Sequence, residues 1–153
     1  MKNILCTICM RSGSVGLKNK HLVNLKGKPL MYHTIDFINF SNYDCIVDGI
    51  LGAGLRGSCK ENILDVIQLI NQSRKNVISL DIPTGLGTQT CVHPTQTITY
   101  GFPKKIFKTH YQFCGDIYCI DIEIPRLACL NLLKCSCNFF DESSIIKIRY
   151  IHE

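Results

Sequence analysis

Apolar positions along this chain recur with two different periods, and the alternation between them predicts the elements. Asn3 to Met10 is a short apolar run cut off by Arg11, which predicts a buried strand running into the loop Arg11-Ser-Gly-Ser-Val-Gly16. Pro29 to Phe40 predicts a helix with Leu30, Ile35 and Ile38 on one face, and Asp44 to Leu51 a second strand. Between Cys59 and Ser73, Ile63, Val66, Ile67 and Ile70 fall at i, i+3, i+4 and i+7, the spacing of an amphipathic helix. Asn76 to Ile82 predicts a third strand and Thr95 to Phe102 a fourth. Asp116 to Ile124 predicts a fifth, with Tyr118, Ile120, Ile122 and Ile124 alternating until Pro125 closes it. Leu127 to Leu133 and Asp141 to Ile148 predict two short helices, the second capped by Asp141.

Strands that alternate with helices early and then follow one another predict an α/β protein. Its sheet should be mostly parallel, of about five strands, Rossmann-like and layered with flanking helices. The 153 residues suffice for one domain, or one domain and a fragment, with a seam expected at Phe40 to Tyr43. The net charge of +5 is spread over several short basic clusters, a pattern that suits a phosphate-bearing small molecule. Nucleic acid is not an expected partner, because Trp is absent and no stacking-aromatic motif stands out. No apolar run approaches the roughly 18 residues of a membrane span, so no membrane is expected. Without a signal peptide the ten cysteines are expected to be reduced and mostly small core residues, in a cytoplasmic protein. Cys6 and Cys9 would lie three apart in one strand, facing opposite ways, which disfavours zinc.

Two strands end in a carboxylate followed by glycine. Cys45-Ile-Val-Asp48 precedes Gly52-Ala-Gly54-Leu-Arg56-Gly57, and Val77-Ile-Ser-Leu-Asp81 precedes Pro83 and Gly85. Ligands gather at the carboxyl ends of parallel strands, so one shared crevice is a candidate site. On the residues alone, a turn role for Asp81 and a tight connection through Gly52–Gly57 stand beside that reading. Lys104 and Lys105 read as a solvated face, and His93, His110 and His152 as ordinary polar residues.

The segment Ile8-Cys-Met-Arg-Ser-Gly-Ser-Val-Gly-Leu-Lys-Asn-Lys20, continuing to Leu25-Lys-Gly-Lys-Pro-Leu30, resembles the opening motif of acylneuraminate cytidylyltransferases. That resemblance covers about residues 1–38 and implies nucleotide-phosphate contacts at Arg11, Gly13, Ser14, Gly16 and Lys20. It departs from the family at Val15, where a lysine is usual, and at His21, where asparagine is. Losing a cation from a triphosphate site removes charge stabilisation, so nucleotidyl transfer is an alternative reading only.

Residues 44 to 125 resemble the NAD(P)H-hydrate epimerase family (the YjeF N-terminal domain). The likeness runs through the two strand–glycine units, then Ile98-Thr-Tyr-Gly-Phe-Pro-Lys104, then Cys114-Gly-Asp-Ile-Tyr-Cys-Ile-Asp-Ile-Glu-Ile-Pro125. It implies a metabolite-repair isomerase acting on hydrated NADH and NADPH, in a fold truncated relative to the full epimerase. It further implies potassium ligands at Asp48 and Thr84, and a substrate loop at Gly52, Ala53, Gly54, Leu55, Arg56, Gly57 and Ser58. Asp81 would be the substrate-contacting and catalytic acid. The expected organisation is a cytidylyltransferase-like segment at 1–40, an epimerase-like unit at 41–126 and a linker-like tail at 127–153. A non-catalytic fusion remnant that binds a dinucleotide, or dimerises through exposed sheet edges, is the reading from a different class.

Overall fold

The computed structural model describes residues 4–5, 24–29, 43–53, 57–133 and 138–150. Its centre is a six-stranded sheet of β1 (Ile4–Leu5), β4 (Cys45–Asp48), β5 (Asn76–Leu80), β6 (Gln96–Tyr100), β7 (Asp116–Ile120) and β8 (Ile145–Ile148), in that spatial order. Five strands are parallel and β8 runs antiparallel to β7. The mostly parallel α/β architecture expected from the sequence is therefore present, with one strand more than expected. A separate two-stranded ladder joins β2 (Asn24–Leu25) to β3 (Lys28–Pro29). Pro29 thus closes a hairpin instead of opening a helix, and the rest of the expected 29–40 helix lies outside the described residues.

Helix α1 (Glu61–Gln72) is the amphipathic helix that the spacing predicts. Its buried residues are the four isoleucine and valine positions named above, packed with Ile46, Val77 and Val92. Ser73 ends it by donating its hydroxyl to the Ile70 carbonyl at 2.6 Å. A second core cluster joins Ile82, Leu86, Cys91 and Cys114 to Ile117 and to Phe107 of the short helix α2 (Phe107–His110).

Three expected elements are corrected. The strand expected to run to Ile124 stops at Ile120; the Asp121 amide makes a last cross-strand bond to the Ser144 carbonyl, and Glu123 then takes a positive φ of 55°. The strand expected to end at Ile82 stops at Leu80, where Asp81 takes φ 69°. The segment expected as a helix from Asp141 to Ile148 is not helical: its second half is strand β8, which places Ile146 and Ile148 opposite Cys119 and Ile117. Ile-Ile-Lys-Ile is a β-branched alternating run, and an available sheet edge outweighs the capping signal. The helix expected at Leu127 to Leu133 is present as α3 (Arg126–Ala128) followed by a π turn.

Cys45, Cys59, Cys91, Cys114 and Cys119 are free thiols, and all but Cys45 are buried, as expected of small core residues. Among the described residues Cys129 departs from the expected reduced state: it is disulfide-bonded. Burial pushes the Cys114 thiol up to about 12 and the Cys119 thiol up to about 11, from 9.0. A group whose folded pKa is raised contributes stability that is complete below its unfolded pKa and lost as pH climbs towards the folded value. The urea midpoint is therefore expected to fall between about pH 9 and pH 11, and to fall less in Cys114→Ala; equal slopes for the two proteins would refute the assignment.

Thr99 on β6 is fully buried, and its hydroxyl has no hydrogen-bond partner among the described residues. Valine has nearly the same shape without the polar group, so Thr99→Val is expected to stabilise the protein by about 1 kcal/mol in urea unfolding. A loss of stability would mean that the hydroxyl is satisfied.

Candidate active site at the carboxyl edge of the sheet

Parallel pairing of β4, β5 and β6 brings their carboxyl ends to one edge, and with them Asp48, Asp81 and the segment that ends at Lys104. Asp48 lies opposite Ser79 in the ladder. Both are buried, Asp48 to 1% exposure. The Asp48 carboxyl accepts from every side. Its Oδ2 takes the Ser79 hydroxyl at 2.7 Å and the Thr84 amide at 2.9 Å. Its Oδ1 takes the Thr84 hydroxyl at 2.6 Å and, more weakly, the Ile50 amide at 3.3 Å. Thr84 in turn accepts the Leu51 amide on its hydroxyl oxygen at 3.0 Å. A buried carboxyl with four donors is satisfied in the way burial demands. The network ties the turn after β4 to the turn after β5.

Asp81 stands one step further out, about a quarter exposed. Its left-handed backbone is tolerated by aspartate better than by most residues. The Ala53 amide donates to Oδ2 at 3.0 Å, and the Lys104 ammonium lies 3.1 Å from Oδ1. Lys104 is itself held, donating to the Tyr100 carbonyl at 3.0 Å. One carboxylate oxygen thus faces a backbone amide and the other a fixed cation.

Gly52 makes the approach possible: a Cβ there would sit 2.9 Å from Asp81 Oδ2. Gly52→Ala is expected to leave the melting temperature nearly unchanged while displacing the carboxylate, with turnover reduced about tenfold, as for other sub-ångström misplacements. Unchanged turnover would show that Asp81 need not sit against the 52–53 backbone.

The expected site residues divide into three groups. Asp48, Thr84, Gly52, Ala53 and Asp81 come together at this edge. Gly57 and Ser58 instead line a cleft of about 950 Å³ with Leu86, Gly87, Thr88 and Ile106, and Asp81 is not part of its lining. Gly54, Leu55 and Arg56 lie outside the described residues, as do Arg11, Gly13, Ser14, Gly16 and Lys20. Sequence reasoning missed Ser79 and Lys104. The signal for Ser79 was a small hydroxyl at the inward position of an apolar strand. For Lys104 it was the place, four residues past the end of β6 on the same edge.

The donors at Asp48 and Thr84 are a carboxyl and a hydroxyl, hard oxygens of the kind a monovalent cation takes. In this arrangement they are bonded to each other, so an ion would have to turn the Thr84 proton away. Among the described residues no group of three or more His, Cys, Asp or Glu is arranged to hold a metal.

An open α/β sheet with a carboxylate–lysine pair at the carboxyl edge beside a glycine loop is the geometry of a small-molecule site. The model of the YjeF-related protein N-terminus matches residues 11–106, and the chain belongs to that family. It is 34% identical over 108 residues to the bifunctional NAD(P)H-hydrate repair enzyme Nnr of Methanothermobacter thermautotrophicus, covering 62% of this chain and 21% of that protein. It is 34% identical over 88 residues to the NAD(P)H-hydrate epimerase of Cenarchaeum symbiosum, covering 54% of this chain and 41% of the relative. It is 26% identical over 117 residues to that of Elusimicrobium minutum, covering 72% and 53%. The chain therefore spans about half, or less, of the length of these curated relatives. The crystal structure of yeast ynu0, YNL200c, shares the fold with a TM-score of 0.59 at 19% identity, over 75% of this chain and 51% of that one.

Proposed function

We propose that this chain binds hydrated NADH or NADPH and interconverts the epimers at the hydrated nicotinamide ring. The observation that carries the reading is Asp81, a carboxylate at the end of a central strand gripped by the Ala53 amide and Lys104. A carboxylate so placed can accept a hydrogen bond from the substrate hydroxyl or move a proton at the ring, work that contributes typically 100- to 10,000-fold in rate. The Lys104 cation holds it in place. Potassium, if taken up, would lie at Asp48 and Thr84 and supply positive charge beside the bound dinucleotide. Asp48 and Thr84 also fix the two turns that present Gly52 and Asp81. A cytoplasmic setting belongs to the same proposal, supported by five free thiols and opposed by the disulfide at Cys129; among the described residues no helix is long and apolar enough to cross a membrane.

The test is epimerisation of hydrated NADH and NADPH by purified protein in potassium and in sodium buffers. Turnover is expected; none in either buffer would overturn the reading. A melting temperature higher in potassium than in sodium, lost in Thr84→Val, would support the ion site independently of activity. Nucleotidyl transfer would rest on Arg11 to Lys20, outside the described residues, and no observation at the described site favours it.

A further inference from the structure

The chemistry at Asp81 leaves the neighbouring cleft without a use. Its walls come largely from the two connections that also build the Asp81 corner, one after β4 and one after β5, where ligands of a parallel sheet gather. At about 950 Å³ it falls at the upper end of the range for small-molecule sites. Leu86, on its wall, is within about 18 Å of Asp81, the most that the intervening chain can span. A ligand with two ends can therefore occupy both places. The lining carries no charged side chain. Leu64, Leu86 and Ile106 make it apolar, and Ser58 and Gln89 add a hydroxyl and an amide.

We propose that this cleft takes the adenosine end of a dinucleotide, with the Gln89 carboxamide paired to the edge of the adenine. The proposal rests on the epimerase reading, which puts the nicotinamide end at Asp81 and leaves the other end to be housed. A neutral, partly apolar wall suits a base and a ribose, whereas phosphates call for cations or converging amides. A carboxamide sets an acceptor beside a donor, which matches the N6 amino group and N7 of adenine together. Gln89 is exposed and makes no hydrogen bond among the described residues, so its amide is free to do this. The turn presents it rigidly. The Thr88 hydroxyl lies 2.8 Å from the Gly85 carbonyl and 3.0 Å from the Thr90 carbonyl, and the Thr88 amide donates to Gly85 at 3.0 Å. Glycine lets that turn close. A Cβ at Gly85 would collide with the Thr90 carbonyl oxygen, and one at Gly87 would sit 2.8 Å from Ile106. A side chain held on so fixed a turn loses little freedom when a base pairs with it. Ser58, on the other connection, supplies a hydroxyl for the ribose.

Calorimetric titration of the whole chain with the two halves of the dinucleotide, ADP-ribose and nicotinamide mononucleotide, tests the assignment. ADP-ribose is expected to bind. Gln89→Leu, which keeps the side chain's size, should weaken it about 5- to 150-fold, the worth of a bidentate pair to a base. The same variant should hold nicotinamide mononucleotide within about twofold and melt with the parent, because Gln89 is on the surface. In turnover it should raise KM for hydrated NADH and leave kcat unchanged. Absence of ADP-ribose binding, a change below about twofold in Gln89→Leu, or an equal loss of both halves would overturn the proposal. These results are separable from the fate of the epimerase reading. Gln89-dependent ADP-ribose binding without turnover would sink that reading and leave the subsite standing. Turnover with ADP-ribose binding indifferent to Gln89 would do the reverse.

Discussion

Asp81→Asn is expected to lower kcat/KM for epimerisation of hydrated NADH at least about 100-fold, the lower end of what a positioned proton-transfer group contributes. Asparagine tolerates the left-handed backbone at this position, so the chain path survives the change. Its carbonyl can still accept from Ala53, whereas its neutral side chain cannot hold a negative charge against Lys104. The fold should be nearly indifferent. The Asp81–Lys104 pair is partly exposed, and ion pairs of that kind contribute about 0–1 kcal/mol. Circular dichroism and thermal melting on the same preparation therefore separate a chemical role from a structural one. Turnover within about threefold of the parent would sink the assignment, and a large fall in melting temperature would make Asp81 structural.

Asp48→Ala is expected to act in the opposite way, on the fold first. It removes the acceptor for the Ser79 hydroxyl, the Thr84 amide and the Thr84 hydroxyl in a site closed to water. Each buried donor left unpaired costs about 1–3 kcal/mol, so a total loss of about 3 kcal/mol or more is expected. For a chain of this length, that lowers the melting temperature by about 6–12 °C. Ser79→Ala, which removes one of the donors, should cost about 1 kcal/mol. A shift below about 2 °C in Asp48→Ala would mean that the network is dispensable.

Both expectations rest on a site that was partly legible in the chain. Asp48 and Asp81 each close a strand and precede glycine, and strand order then does the rest. Once β4 and β5 pair in parallel, the two acids must share an edge. What the residues did not disclose was the division of labour between them. Asp48 falls on the inward row of its strand, opposite Ser79, and is sealed. Asp81 sits just beyond its strand, where a positive φ turns it out of the ladder and towards Ala53 and Lys104. That difference depends on where each strand stops.

The tail shows the same limit from the other side. Asp141 followed by an apolar stretch reads as a capped helix, and Ile-Ile-Lys-Ile reads equally as a strand. The open edge of β7 decides for the strand. Lys104 looked like one of two surface lysines until the turn after β6 set it against a carboxylate.

By itself, the sequence determined the α/β class, helix α1, the approximate places of the strands and the family, whose model matches residues 11–106, because each follows from local periodicity or motif spacing. Only the tertiary structure decided that Asp48 is a buried anchor and Asp81 the accessible acid. It alone supplied Lys104 as partner and β8 as a strand. Those depend on pairing register and crossover hand, which bring distant residues together and leave no mark in any single stretch of chain.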